Sequence, residues 1–187
     1  MLRPAGDSER PASLHREPSG ARDVFRHYIR DIVYGANDGL ITTFAVVAGG
    51  TGGALTARAV IIVGIANLIA DGISMGVGNY LAIRSNESAR AAVNLPEEEA
   101  SPVRHGVMTF LAFAGAGALP ILPYVAGVPD FALSLILTLS ALFAVGAARA
   151  LVTTLRWHLA GLEMLLLGGL VAIAAYGAGA AASWLLG

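Results

Sequence analysis

The chain has no cysteine and no lysine, and only 13% of its 187 residues carry a charge. The absence of cysteine excludes disulfide bonds and thiolate metal sites. All twelve basic residues are Arg, which we attribute to the nucleotide composition of the source genome. Because a soluble domain carries about 25% charged residues, this shortage of charge disfavours a water-facing surface. It favours a surface that faces lipid.

Apolar residues make up 56% of the chain, and the mean hydropathy is +0.67. They form five long stretches, over residues 31–53, 58–83, 106–126, 131–150 and 159–186. Each stretch approaches or exceeds the roughly 20 residues that a helix needs to cross about 30 Å of hydrocarbon. Short turn signals separate several of them, and Pro120 and Pro123 should bend or end the third helix. The sequence therefore predicts an all-α membrane protein with about five transmembrane helices.

The segments outside these stretches are few. Residues 1–24 mix charged residues with Pro and Ser and contain no apolar run, so they are not a signal peptide. We interpret them as a disordered cytosolic tail before a membrane domain at 25–187. The one sizeable connection is a short cytosolic loop at 85–104. Its acidic residues Glu97, Glu98 and Glu99 are interpreted as solvated, although they could also attract cations.

The placement of arginine predicts the orientation in the membrane. If the N-terminus is cytosolic, every Arg except Arg58 lies on the cytosolic side. Five spans then place the C-terminus outside. We expect an integral protein of a bacterial plasma (inner) membrane.

Two carboxylates interrupt the first two spans. A charged group at the bilayer centre costs about 2.5–3.5 kcal/mol, so Asp38 and Asp71 call for a reason. At 1.5 Å per residue, Asp38 lies roughly 9 Å from the cytosolic face and Asp71 roughly 18 Å, with Met75 between them at roughly 12 Å.

The neighbours of these carboxylates form two polar stripes. Residues Asn67, Asp71, Met75 and Asn79 recur every four positions and share one face of the second helix. Asp31, Asp38 and Thr42 share a face of the first helix. If the two faces meet, oxygen ligands and one thioether lead from the cytosol to the midplane.

The ligand types indicate a divalent transition metal. Oxygen ligands suit Mn²⁺, Fe²⁺ or Mg²⁺, and a thioether tilts the site towards the transition metals. No histidine lies inside a span, so we do not expect a tetrahedral zinc site. We predict Asp38, Met75 and Asp71 as metal ligands, no resident cofactor and no enzymatic activity. Residues lining or supporting the path are predicted to be Asn37, Thr42, Asn67, Asn79 and Glu163.

Simpler interpretations exist for each of these residues. A methionine in an apolar helix is usually packing material, and an asparagine often joins helices. A lone intramembrane aspartate can be protonated and merely hydrogen-bonded. Glu163 lies near the start of the fifth span, where it could form a structural pair with Arg149 or Arg156.

Glycine pairs flank both acidic positions. Gly35 with Gly39, and Gly72 with Gly76, are GxxxG pairs on the first and second helices. Because glycine has no Cβ, helix backbones can approach closely there. We expect these four residues to mediate helix packing.

Three segments resemble the vacuolar iron transporter family. Residues 31–49 (DIVYGANDGLITTFAVVAG) are similar to its first-helix signature, residues 66–82 (ANLIADGISMGVGNYLA) to its second, and residues 162–177 to its last helix. The resemblance runs from about Phe25 to the C-terminus. It implies a five-helix homodimer with the ion path near the dimer axis, which exports cytosolic Fe²⁺, and often Mn²⁺, in exchange for protons. The path aspartate and methionine of the family fall on Asp38 and Met75.

Two features depart from the family pattern. Better-known members carry a Glu-rich metal-binding domain between helices two and three, where this chain has about twenty residues. Plant-type members have Glu where Asn79 stands, so fewer groups here can carry protons. The partners implied are the lipid bilayer, a second copy of the chain and divalent metal ions, with no nucleic acid.

Two other functions stay open. An intramembrane aspartyl protease would need the carboxyl groups of Asp38 and Asp71 about 3 Å apart. The chain lacks the Gly-x-Gly-Asp pattern expected of that class, and Met75 would have no role in it. A membrane scaffold without transport would use its aspartates only to specify dimer packing.

Overall fold

The structure, a computed structural model, describes residues 12–16, 18–151 and 153–186. Within these residues the chain forms five α-helices and no strand. They are α1 (Ala21–Gly52), α2 (Ala57–Ala92), α3 (Pro102–Val125), α4 (Phe131–Arg149) and α5 (Trp157–Leu186). All five are long and apolar enough to cross a membrane. The predicted all-α membrane fold with five spans is confirmed.

Two helices extend well beyond their apolar stretches. α1 begins at Ala21, before the stretch at 31–53, and α2 continues to Ala92, past the stretch at 58–83. Hydropathy marks only the part of a helix that suits lipid, whereas backbone hydrogen bonding continues through polar residues outside it. The predicted loop at 85–104 therefore begins as helix. The guanidinium of Arg90 donates to the Pro96 carbonyl at 3.0 and 3.1 Å and so fixes the connection that follows.

Of the tail at 1–24 that we predicted to be disordered, residues 1–11 and 17 lie outside the described residues. Of the remainder, residues 21–24 form the first turn of α1. The backbone N–H of Leu14 donates to the Glu97 carbonyl at 2.7 Å. This part of the tail therefore lies against the connection between α2 and α3.

α1 is the central helix and contacts the other four. Around it stand α2, α3, α4 and α5 in that order, each packed against the next. Within the described chain α2 and α5 do not touch, so one side of α1 is left open. Tyr34 of α1 is 56% exposed and borders a cavity next to α5, together with Met164. Towards the end of α1, Gly49 and Gly52 pack closely against α5 at Gly179 and Tyr176.

The basic residues separate between the two ends of the bundle. We call the end where α1, α3 and α5 begin the N-terminal end, and the opposite end the far end. Arg58 lies at the far end, at the start of α2. The other described arginines lie at the N-terminal end: Arg16, Arg22, Arg26, Arg30, Arg84, Arg90, Arg104, Arg149 and Arg156.

Both predicted glycine pairs pack against α3. A Cβ at Gly39 would overlap the Phe113 carbonyl oxygen, and one at Gly76 would lie only 2.8 Å from the Gly106 carbonyl oxygen. α3 therefore lies in backbone contact with both α1 and α2. The two GxxxG pairs do not face each other.

The contact at Gly39 gives a test of this packing. Gly39→Ala should lower the free energy of unfolding by about 1–3 kcal/mol, because the new methyl group meets rigid backbone of α3. Thermal unfolding in detergent measures the change. Gly177→Ala on α5 is the control, since a Cβ there meets nothing within 4 Å. Equal unfolding midpoints for the two variants would contradict the proposed close approach.

Candidate metal path and the histidine cluster at its end

Asp38 of α1 and Asp71 of α2 lie at about the same level of the bundle, within about one helical turn. Each directly precedes a glycine, and Gly39 and Gly72 both pack against Phe113 of α3. The two carboxylates are half-buried. Counting from the sequence placed them roughly 9 Å apart in depth. That difference arose because depth was counted from the ends of the apolar stretches, which are not the ends of the helices.

The polar stripe of α2 runs along the border of its packed face. All four of its members are half-buried: Asn67, Asp71, Met75 and Asn79. At the N-terminal end of the bundle the stripe faces α1, and there the Asn79 amide donates to Asp31 Oδ1 at 2.8 Å. On α1, the Thr42 hydroxyl donates to the Asp38 backbone carbonyl at 2.8 Å. This hydrogen bond does not involve the Asp38 carboxylate.

A buried polar network joins three helices at the N-terminal end. Asn79 also donates to the Thr109 hydroxyl oxygen at 2.7 Å, and Asp31 Oδ2 lies 2.5 Å from His105 Nδ1. Asp31, Thr109 and His105 are all at most 3% exposed. Buried polar groups of this kind need such partners because each would otherwise pay its full desolvation cost. The network therefore fixes the relative positions of α1, α2 and α3.

Two of the predicted path residues lie elsewhere. Asn37 lines a cavity between α1, α4 and α5, together with Arg149 and Met164. Glu163 pairs with Arg149 at 3.2 Å, one of the two partners that the sequence left open. These side chains are not brought together with the stripe of α2.

The three residues of the acidic triplet, Glu97, Glu98 and Glu99, have different partners. Glu98 pairs with Arg90 at 3.0 Å, and the Glu97 backbone carbonyl receives the Leu14 N–H. Glu99 instead faces the bundle, and its backbone N–H donates to Glu87 Oε1 at 3.0 Å, which fixes its position.

Three histidines surround Glu99. His15 Nδ1 lies 3.1 Å from Glu99 Oε1, whereas His105 Nε2 and His27 Nε2 lie 3.0 and 3.7 Å from Oε2. This cluster was not predicted from the sequence. One signal was available, since His27 and Asp31 are four residues apart and share a face of α1. The contribution of the tail and the connection could not be derived from helical spacing.

The Asn79 network can be tested by an apolar replacement of similar size. Asn79→Leu should lower the free energy of unfolding by about 1–3 kcal/mol, because buried Asp31 loses a hydrogen-bond donor. The exposed Asn86 on the same helix supplies the control variant Asn86→Leu, for which we expect a change within about 0.5 kcal/mol. Thermal unfolding in detergent compares them, and an unaffected Asn79→Leu protein would show that the network contributes nothing to stability.

Known proteins of one family are similar to this chain. A model of the VIT family matches residues 29–98 and 86–180 of the chain. The vacuolar iron transporter of Toxoplasma gondii is 36% identical over 100 residues, covering 46% of this chain and 33% of that protein. Vacuolar iron transporter 1 of Tulipa gesneriana is 34% identical over 110 residues, covering 54% and 43% respectively. The protein of the same name from Arabidopsis thaliana is 40% identical over 84 residues, covering 40% and 34%. The chain thus matches between a third and a half of the length of these relatives.

Proposed function

The chain belongs to the VIT family, and we propose that it transports a divalent transition-metal ion, Fe²⁺ or Mn²⁺, out of the cytosol. Relatives named vacuolar iron transporter support iron as a cargo. In this proposal Asp38, Asp71 and Met75 hold the ion in transit. The ion is a substrate that binds and leaves, so its ligands need to be few and weak.

The observation that carries the proposal is the pair of carboxylates within the apolar bundle. Asp38 and Asp71 lie at one level on neighbouring helices and are half-buried, and two negative charges placed in this way repel each other. A divalent cation between them removes that repulsion and repays part of the cost of placing charge in a membrane. Met75, one turn from Asp71 on the same stripe, adds a soft ligand that favours a transition metal over Mg²⁺ or Ca²⁺.

The open side of α1 supports a homodimer in which each path is completed by a second copy. Asp38 is half-buried and lies one helical turn from the exposed Tyr34, on the same side of α1. α2 also presents exposed apolar side chains, including Ile69 and Ile73. A second copy packed here would cover the opening and exclude lipid from the carboxylates.

Proton exchange follows from the same carboxylates. A carboxylate binds either a metal ion or a proton, so the two compete for Asp38 and Asp71. Asn79 cannot contribute a third such group, because its amide does not titrate and already donates to Asp31. We therefore propose a coupling that depends on the two aspartates of the path.

Transport assays on inside-out vesicles test the path. We expect uptake of Mn²⁺, or of Fe²⁺ kept reduced, to be faster when the vesicle lumen is acidic, since protons leave as metal enters. Asp38→Ala should abolish this uptake, and Met75→Leu should slow it by roughly tenfold through loss of one ligand.

Matched controls come from the same chain. Asp23→Ala removes an exposed carboxylate of α1, and Met108→Leu removes a half-buried methionine of α3. Both variants should transport like the unmodified protein. If Asp38→Ala also transports at the unmodified rate, the assigned path is wrong.

The absence of cysteine makes the orientation directly measurable. We propose a cytosolic N-terminal end, because that end carries every arginine of the described residues except Arg58. Val93 and Val128 are exposed residues of the α2–α3 and α3–α4 connections, at opposite ends of the bundle. In intact cells, a membrane-impermeant maleimide should label Val128→Cys and leave Val93→Cys unlabelled until the cells are permeabilised. The reverse pattern would invert the proposed topology.

A further inference from the structure

We propose that His15, His27 and Glu99 form a second metal site, which holds a divalent first-row transition-metal ion at the N-terminal end of the bundle. This site is separate from the path at Asp38 and does not depend on the proposed transport. Its residues come from three segments: the tail, α1 and the α2–α3 connection.

The donor atoms are spaced for one ion. One ligand atom from each of the three residues can be chosen so that all three lie within 4.8 Å of one another. An ion with bonds of about 2.0–2.2 Å to nitrogen and oxygen sets its ligand atoms about 3–4.5 Å apart. The distances from Glu99 to His15 (3.1 Å) and to His27 (3.7 Å) already lie in this range.

The polar atoms that face this point are buried and lie against one another. Among the described residues, His27 Nε2, Glu99 Oε1 and His105 Nε2 make their polar contacts within this cluster. His105 is 3% exposed, and its Nε2 faces Glu99 Oε2 at 3.0 Å. A ring nitrogen and a carboxylate oxygen attract each other through a shared proton or a cation, and one divalent cation serves several such atoms at once.

Two buried residues, Asp31 and His105, hold Glu99 in place. Asp31 lies against His105 Nδ1, and His105 in turn faces Glu99. Metal ligands are commonly oriented by such outer partners, which fix their rotamers and raise their affinity for the ion. His105 is therefore a positioning residue, and its anchor is the same Asp31 that Asn79 binds.

The ligand set selects the class of ion. Two imidazoles and one carboxylate suit Zn²⁺, Fe²⁺, Co²⁺ or Ni²⁺, with water filling the open positions, and they are poor ligands for Mg²⁺ and Ca²⁺. This differs from the expectation of no zinc-type site, which considered only histidines inside the spans. A bound ion would join the tail to the bundle beside the α2–α3 connection.

Cobalt titration of the full chain tests the site. The protein, purified in detergent without a polyhistidine tag and freed of metal, is titrated with Co²⁺ while visible absorption is recorded, and Zn²⁺ is then added as competitor. We expect one Co²⁺ per chain with a visible band that Zn²⁺ displaces. His27→Gln and His15→Gln should each weaken binding at least tenfold, because loss of a ligand costs no less than loss of a second-sphere partner.

Two further variants distinguish this site from cobalt bound at a surface histidine and from cobalt bound in the path. His158→Gln, at the exposed start of α5, should bind Co²⁺ like the unmodified chain. Asp38→Asn should keep the band even where it abolishes transport, so that failure of one proposal is distinguishable from failure of the other. Helicity measured by circular dichroism checks the folding of each variant. If His27→Gln does not fold, His15→Gln still tests the site, because His15 lies outside every helix. Unchanged affinity in His15→Gln, loss of the band in Asp38→Asn, or no binding by the unmodified chain would each overturn the proposal.

Discussion

The backbone contact between α1 and α3 positions the polar groups of the bundle. Gly35 and Gly39 let α1 lie directly on α3, where any larger residue would overlap backbone atoms. At that separation Asp31 can reach His105, and Asp38 stands level with Asp71 on the helix beside it. Because α3 also receives Gly72 and Gly76 of α2, one helix sets the distance between the two that carry the carboxylates. The glycines thus serve the candidate path through geometry and not as ligands.

Much of this architecture could be predicted from sequence because a membrane imposes simple rules. Apolar stretches of about 20 residues identified all five helices, and the four-residue spacing from Asn67 to Asn79 identified one face of α2. The ends of the helices could not be predicted in the same way. Outside lipid, polar residues continue a helix at little cost, so hydropathy does not show that α1 begins at Ala21 or that α2 reaches Ala92.

The histidine cluster could not be predicted from the sequence for a different reason. His15, His27, Glu99 and His105 are distant in sequence, and only the packing of the tail against the connection brings them together. Periodicity reports which residues share a face of one helix, and it carries no information about a coil segment folded over the end of a bundle. The sequence offered Asn79 as a path residue or as an asparagine that joins helices, but it did not identify its partner. In the structure Asn79 is the donor that satisfies buried Asp31.

Asn79 connects the polar stripe of α2 with the proposed histidine site. A carboxylate in place of this amide would stand against buried Asp31 and raise the energy of the charged pair unless a cation or proton intervened. An amide removes that repulsion and leaves Asp31 free to orient His105. Asn79 therefore anchors Asp31 without adding a titratable group, and Asp31 in turn positions His105 beneath Glu99. The polar network among the helices and the proposed metal site at their end are thus linked through a single aspartate.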